Sequence, residues 1–146
     1  MLFRSTSPPP ALLAFDAPRR AVCTAKRERT DSPLQALILL NGTQYVEAAR
    51  ALGESLHRDA KGDVPAMIEA GFLRCLSRKP DARELAILQQ LHREQLDHFK
   101  AKPAEAESLL KTGNTKRDDK IPAVEAAAAT VLAQALLNHD GCVVKR

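Results

Sequence analysis

Helix-breaking residues cut this chain into pieces, and between the breaks apolar residues recur at helical spacing. The clearest start signal is Ser32-Pro33-Leu34-Gln35. Serine caps, proline suits the first helical position, and a glutamine three residues on completes a capping box. Leu34, Leu37, Ile38 and Leu39-Leu40 follow, and Asn41-Gly42 is a stop signal. A second helix is expected from about Thr43 to Asp59, with Tyr45, Ala49, Leu52 and Leu56 on one face. On it, Glu47 with Arg50 and Glu54 with Arg58 are expected as exposed ion pairs. Lys61-Gly62-Asp63 reads as a turn and cap, followed by a third helix to about Leu76. Ile68, Phe72 and Cys75-Leu76 face inward there, and Gly71 allows another helix to approach closely. After the break at Lys79-Pro80, Asp81 and Glu84 give a second capping-box signal. The fourth helix carries Leu85, Leu88, Leu91 or His92, Leu96 and Phe99 to about Lys100. Lys102-Pro103 breaks again before a short helix over 104–110. The polar run Lys111 to Lys120 is expected as an exposed loop. A last helix follows Pro122, with Val124, Ala128, Val131, Leu132 and Ala135-Leu136 inward, and ends between Asn138 and Gly141.

Composition supports the helical reading. The chain has 146 residues, enough for one core. Aromatic residues make up 3%, with no Trp, which argues against a β-sandwich and against a base-stacking platform for single-stranded nucleic acid. The expected fold is all-α, an irregular bundle of about four to six helices with an extended N-terminal arm. The arm covers 1–32, where Pro8, Pro9 and Pro10 disfavour helix. So long an irregular stretch is expected to pack on something, either present in the chain or missing from it. The helical domain covers 33–146.

Candidate chemistry is sparse. Net charge is +4, and only the stretch from Arg19 to Arg29 concentrates basic residues. Nucleic-acid binding through that stretch is one reading. A solvated or internally salt-bridged segment is the other. Asp16 with Arg20, and Glu28 with Arg27 and Arg29, are read as a charge network, which is either a buried binding site or a salt-bridged cap that holds the arm on the bundle. Cys23 lies among these cations, which favour thiolate, yet no general base is identifiable for it. Cys23, Cys75 and Cys142 form neither a disulfide framework nor a zinc or haem attachment motif. His57, His92, His98 and His139 lack metal-ligand spacing. Asp118-Asp119 lacks the oxygen ligands of a calcium loop. No metal site and no catalytic residue is assigned. No apolar run is long enough to span a bilayer, and no signal peptide is expected at the N-terminus, so the chain taken alone would stay in the cytoplasm.

One longer pattern carries a resemblance. Phe15-Asp16-Ala17-Pro18 runs through Arg20 and Cys23 into Arg27-Glu28-Arg29-Thr30, then Pro33-Leu34-Gln35-Ala36-Leu37 and Leu39-Leu40-Asn41. Tyr45 to Arg50, then Phe72, Arg78, Pro80 and Glu84, then Leu136-Leu137-Asn138 with Asp140, continue it. This resembles the C-terminal part of the planctomycete-type family called domain of unknown function 1553. Asp31-Ser32, Gly42-Thr43 and Gly141 depart from the family pattern, and the usual Trp of the last helix is absent near Ala126 or Ala127. The resemblance implies a fragment of a large exported protein, often one with a cytochrome c domain elsewhere. Haem would belong to that other domain, and no cofactor is expected here. It implies a partner, either upstream family sequence or another protein, and makes the arm over 1–32 a docking segment. Asp16, Arg20, Cys23, Arg27, Arg29 and Asn41 are the candidate interaction residues. The function it implies is a non-catalytic helical module. The alternative is a share of an active site completed by upstream residues.

Overall fold

The structure, a computed structural model, describes residues 10–17, 30 and 32–143. The chain divides into two units, Met1–Ile38 and Leu39–Arg146. Among the described residues there are eight helices and no strand, so the fold is all-α. The count exceeds the expected four to six because two single turns are helical, α1 (Pro10–Ala14) and α8 (Asp140–Val143).

The turn α1 corrects the reading of the arm. Pro10 opens α1 rather than preventing it. Proline is tolerated at a first helical position, where its missing N–H has no partner to lose. The turn ends at Asp16, whose φ of 55° lies in the left-handed region that a short polar residue tolerates. α2 (Pro33–Asn41) begins where the Ser-Pro signal placed it.

The second unit holds α3 (Thr43–Asp59), α4 (Val64–Leu76), α5 (Ala82–Ala101), α6 (Pro103–Leu110) and α7 (Ala123–Leu137). Their ends follow from local chemistry. The Asp63 side chain accepts the Ala66 N–H and caps α4, and left-handed Ser77 ends it. Asp81 and Glu84 form the expected capping box on α5. Pro103 stands at the start of α6.

Around α7 the other helices assemble: α3, α5, α6 and α4 all pack against it. The expectation of one inward face on α7 is too narrow. Ala126, Ala127, Ala128, Ala129 and Thr130 are buried in succession, so more than one side is covered. A helix apolar all round belongs inside. Its small side chains let neighbours approach to backbone contact. A Cβ added at Gly53 of α3 would lie 2.6 Å from the Ala129 carbonyl oxygen of α7. Gly71 of α4 plays the part expected of it, since a Cβ there would sit 2.4 Å from Leu136 Cδ1. Two apolar clusters share α7. One gathers Leu56, Met67, Ile68 and Phe72 about Leu132 and Leu136. The other gathers Phe99, Ala106, Leu110 and Ile121 about Ala126–Ala128.

Candidate functional site

In the first unit, the motif residues close on one another. Thr30 donates both its backbone N–H (2.7 Å) and its hydroxyl (2.8 Å) to Asp16 Oδ2. These bonds favour the ionised carboxylate and hold Asp16 below the usual aspartate range, the backbone bond most and the hydroxyl next. Gln35 backs this clasp. Its Nε2 donates to the Thr30 hydroxyl oxygen (3.0 Å) and to the Ala14 carbonyl (2.7 Å). Its Oε1 accepts the Ser32 N–H (3.2 Å), while Ser32 Oγ accepts the Gln35 N–H (3.4 Å). Both amide ends of this buried side chain are therefore satisfied, as a buried polar group requires.

The clasp joins residues 14 positions apart. In sequence, Arg19, Arg20, Cys23, Lys26, Arg27 and Arg29 fall between Asp16 and Thr30. Of the candidate interaction residues, Arg20, Cys23, Arg27 and Arg29 lie outside the described residues. Asp16 is the anchor of the clasp, and Asn41 ends α2 on the exposed surface. Sequence reasoning missed Thr30 as the partner of Asp16. It read Gln35 only as half of a capping box, although a glutamine has a second end that must also be satisfied when buried.

A second set of motif residues meets in the other unit. Arg78 grips Glu84 with two hydrogen bonds, 2.7 and 2.5 Å. Its guanidinium carbon lies 5.0 Å from the Phe72 ring centroid. The His139 ring stands edge-on to Phe72, and its Nε2 is 3.5 Å from Glu84 Oε1. Glu84 also accepts the Asp81 N–H. The Arg78 side chain first, then that backbone bond, pull the Glu84 carboxyl down to about 2. Each charge here is engaged by the protein itself. The cluster ties the end of α4 to the start of α5 and to the residues after α7.

The expected exposed ion pairs on α3 are corrected. Arg50 is buried and donates to the carbonyls of Leu110 (3.2 Å) and Thr115 (2.6 Å). Glu47 turns to the Thr115 N–H (2.7 Å) and hydroxyl. Glu54 is buried too, and Arg58 pairs instead with Asp118 (3.2 Å). The polar run 111–120 is thus stitched to α3 at three points. Gly113, at φ 99°, makes the turn that this needs. Asp118 and Asp119 each face an arginine, Arg58 and Arg117.

Two histidines pair with carboxylates and a third is buried. His57 Nε2 lies 3.1 Å from Glu125 Oε2, and His98 Nε2 lies 2.8 Å from Glu105 Oε2. His92 is buried, and burial followed by the proximity of His57 lowers its pKa. Among the described residues no group of three or more His, Cys, Asp or Glu is placed to hold a metal ion. No helix among them is long and apolar enough to cross a membrane.

No curated protein and no solved structure shows significant similarity to the chain. A family match does exist, and it spans both the Asp16–Thr30–Gln35 clasp and the Phe72–Arg78–Glu84 cluster. Over residues 1–92 the chain matches PSD1, described as a protein of unknown function (DUF1553), and it belongs to that family.

Proposed function

We propose that this chain is a non-catalytic helical module of a larger exported protein, and that its basic stretch docks on carboxylates of upstream family sequence or of another protein. The observation that carries this reading is the Asp16–Thr30 clasp. Whatever path residues 17–29 take, they leave and return at one anchored point, with five Lys and Arg between. Asp16, the one acid among the candidate residues, is spent on the anchor and is a poor catalytic base. Leu34 and Leu37, one turn apart on α2, are both more than half exposed, and exposed apolar surface suits a protein partner. The exported setting follows from the family resemblance. Within this reading the chain holds no cofactor of its own, and haem stays with other domains of relatives.

The test uses a fluorescent decaglutamate peptide and a duplex DNA of similar charge. In low salt the peptide is expected to bind, and binding should weaken as salt screens the charges. Changing Arg20, Arg27 and Arg29 to Ala should abolish it. Asp16→Ala should weaken it while leaving the melting of the helical unit unchanged. Peptide binding that survives the triple change removes the docking reading. Tighter binding to DNA than to the peptide would favour nucleic acid as the partner.

A further inference from the structure

Two free thiols, Cys75 on α4 and Cys142 on α8, belong to helices that pack on each other. Both Cys75 and Cys142 are free, Cys75 half-buried and Cys142 exposed. Their chain neighbours lie close together: a Cβ added at Gly141 would lie 2.9 Å from Leu76 Cδ2. Cys75 precedes that leucine and Cys142 follows that glycine. Glycine at 141 leaves room for the turn to lie flat on the leucine, and α4 and α8 are in contact along this edge. We propose that Cys75 and Cys142 form a reversible disulfide that pins α8 to α4 when the chain meets a small disulfide such as oxidised glutathione.

Chemistry assigns the order of steps. The exposed Cys142 reacts first. Its thiolate attacks one sulfur of glutathione disulfide, and one glutathione thiolate leaves. The Cys75 thiol then loses its proton to water, its sulfur attacks Cys142 Sγ, and the second glutathione leaves as thiolate. Two protein thiols are oxidised and one glutathione disulfide is reduced to two thiols. Cys75 suits the second step. Burial above all, and the neighbouring Cys142 thiol next, push its pKa up, so it is a slow attacker of free disulfides. Once Cys142 carries glutathione, the attack is intramolecular and proximity replaces reactivity.

The experiment incubates the full chain with reduced and oxidised glutathione in several ratios, blocks free thiols, and maps peptides by mass without reduction. The expected product joins the peptides of Cys75 and Cys142, with two thiols lost and the Cys23 thiol retained. The same product is expected from a Cys23→Ser chain. Cys75→Ser should instead accumulate glutathione on Cys142, and Cys142→Ser should leave Cys75 almost unreacted. Oxidised wild type should melt above the reduced form, and neither serine variant should show that gain. A wild-type product carrying only glutathione on Cys142, or a bridge that includes Cys23, overturns the proposal.

Discussion

Replacing Gly53 by alanine tests the central packing. On helix propensity alone this change should stabilise α3 by about 1 kcal/mol, because Gly53 lies mid-helix. Geometry predicts the opposite sign. The new methyl would meet Ala129 O at 2.6 Å, Ala129 C at 2.7 Å and Thr130 N at 2.9 Å, all backbone atoms of α7. No rotamer change relieves a clash with backbone, so α3 and α7 must separate. A gap of roughly 0.5–1 Å forfeits a quarter to a half of the dispersion energy between facing atoms. Overpacking typically costs about 1–3 kcal/mol, and a rigid seam belongs at the upper end. Offset by propensity, the expected net loss is about 2 kcal/mol. Urea unfolding followed by far-ultraviolet circular dichroism suits a chain with no Trp and one Tyr. Exposed Ala51 on the same helix is the control, where Ala51→Gly should cost about 1 kcal/mol from propensity alone. A Gly53→Ala chain as stable as wild type, or more so, would refute the close contact of α3 with α7.

Acid sensitivity should trace to His92. Its folded-state pKa lies below 6.5, so the unfolded chain takes up a proton more readily. Stability from this group is then full above about pH 6.5 and falls as pH drops below it, by at most about 1.4 kcal/mol per pH unit. Urea midpoints between pH 7.5 and 5 should fall less steeply for His92→Gln, and equal slopes would contradict the assignment. Arg50→Met should cost about 2–4 kcal/mol, because it strips the Leu110 and Thr115 carbonyls of their donor. The Thr115 amide should then exchange its hydrogen faster, whereas unchanged exchange and melting would show that Arg50 does not hold the 111–120 segment.

Helix positions were legible because their signals are local. Ser32 with Gln35 and Asp81 with Glu84 state a helix start within four residues, and both capping boxes are present. The burial of α7 was only partly legible. A run of alanines has no polar side to mark which face is out, so periodicity could not show that neighbours cover most of it. Arg50 misled for a different reason. Its spacing from Glu47 fits a surface pair, but its real acceptors are carbonyls 60 and 65 positions away. Only folding brings them near. In the clasp, the motif pointed to Asp16 but not to Thr30, because nothing in a threonine's sequence context announces which carboxylate it will meet.

The pairing of α3 with α7 also sets an order of events in the cell. His57 and Glu125, which bridge the two helices, are 68 positions apart. At synthesis rates of about 5–20 residues per second, α3 waits roughly 3–14 s for its principal partner. During that interval α4, α5 and α6 emerge, yet the helix they surround does not exist. Leu56, Phe72 and Phe99 stay without their final cover until α7 arrives. The core is therefore completed late, by an alanine-rich helix made after the helices that enclose it.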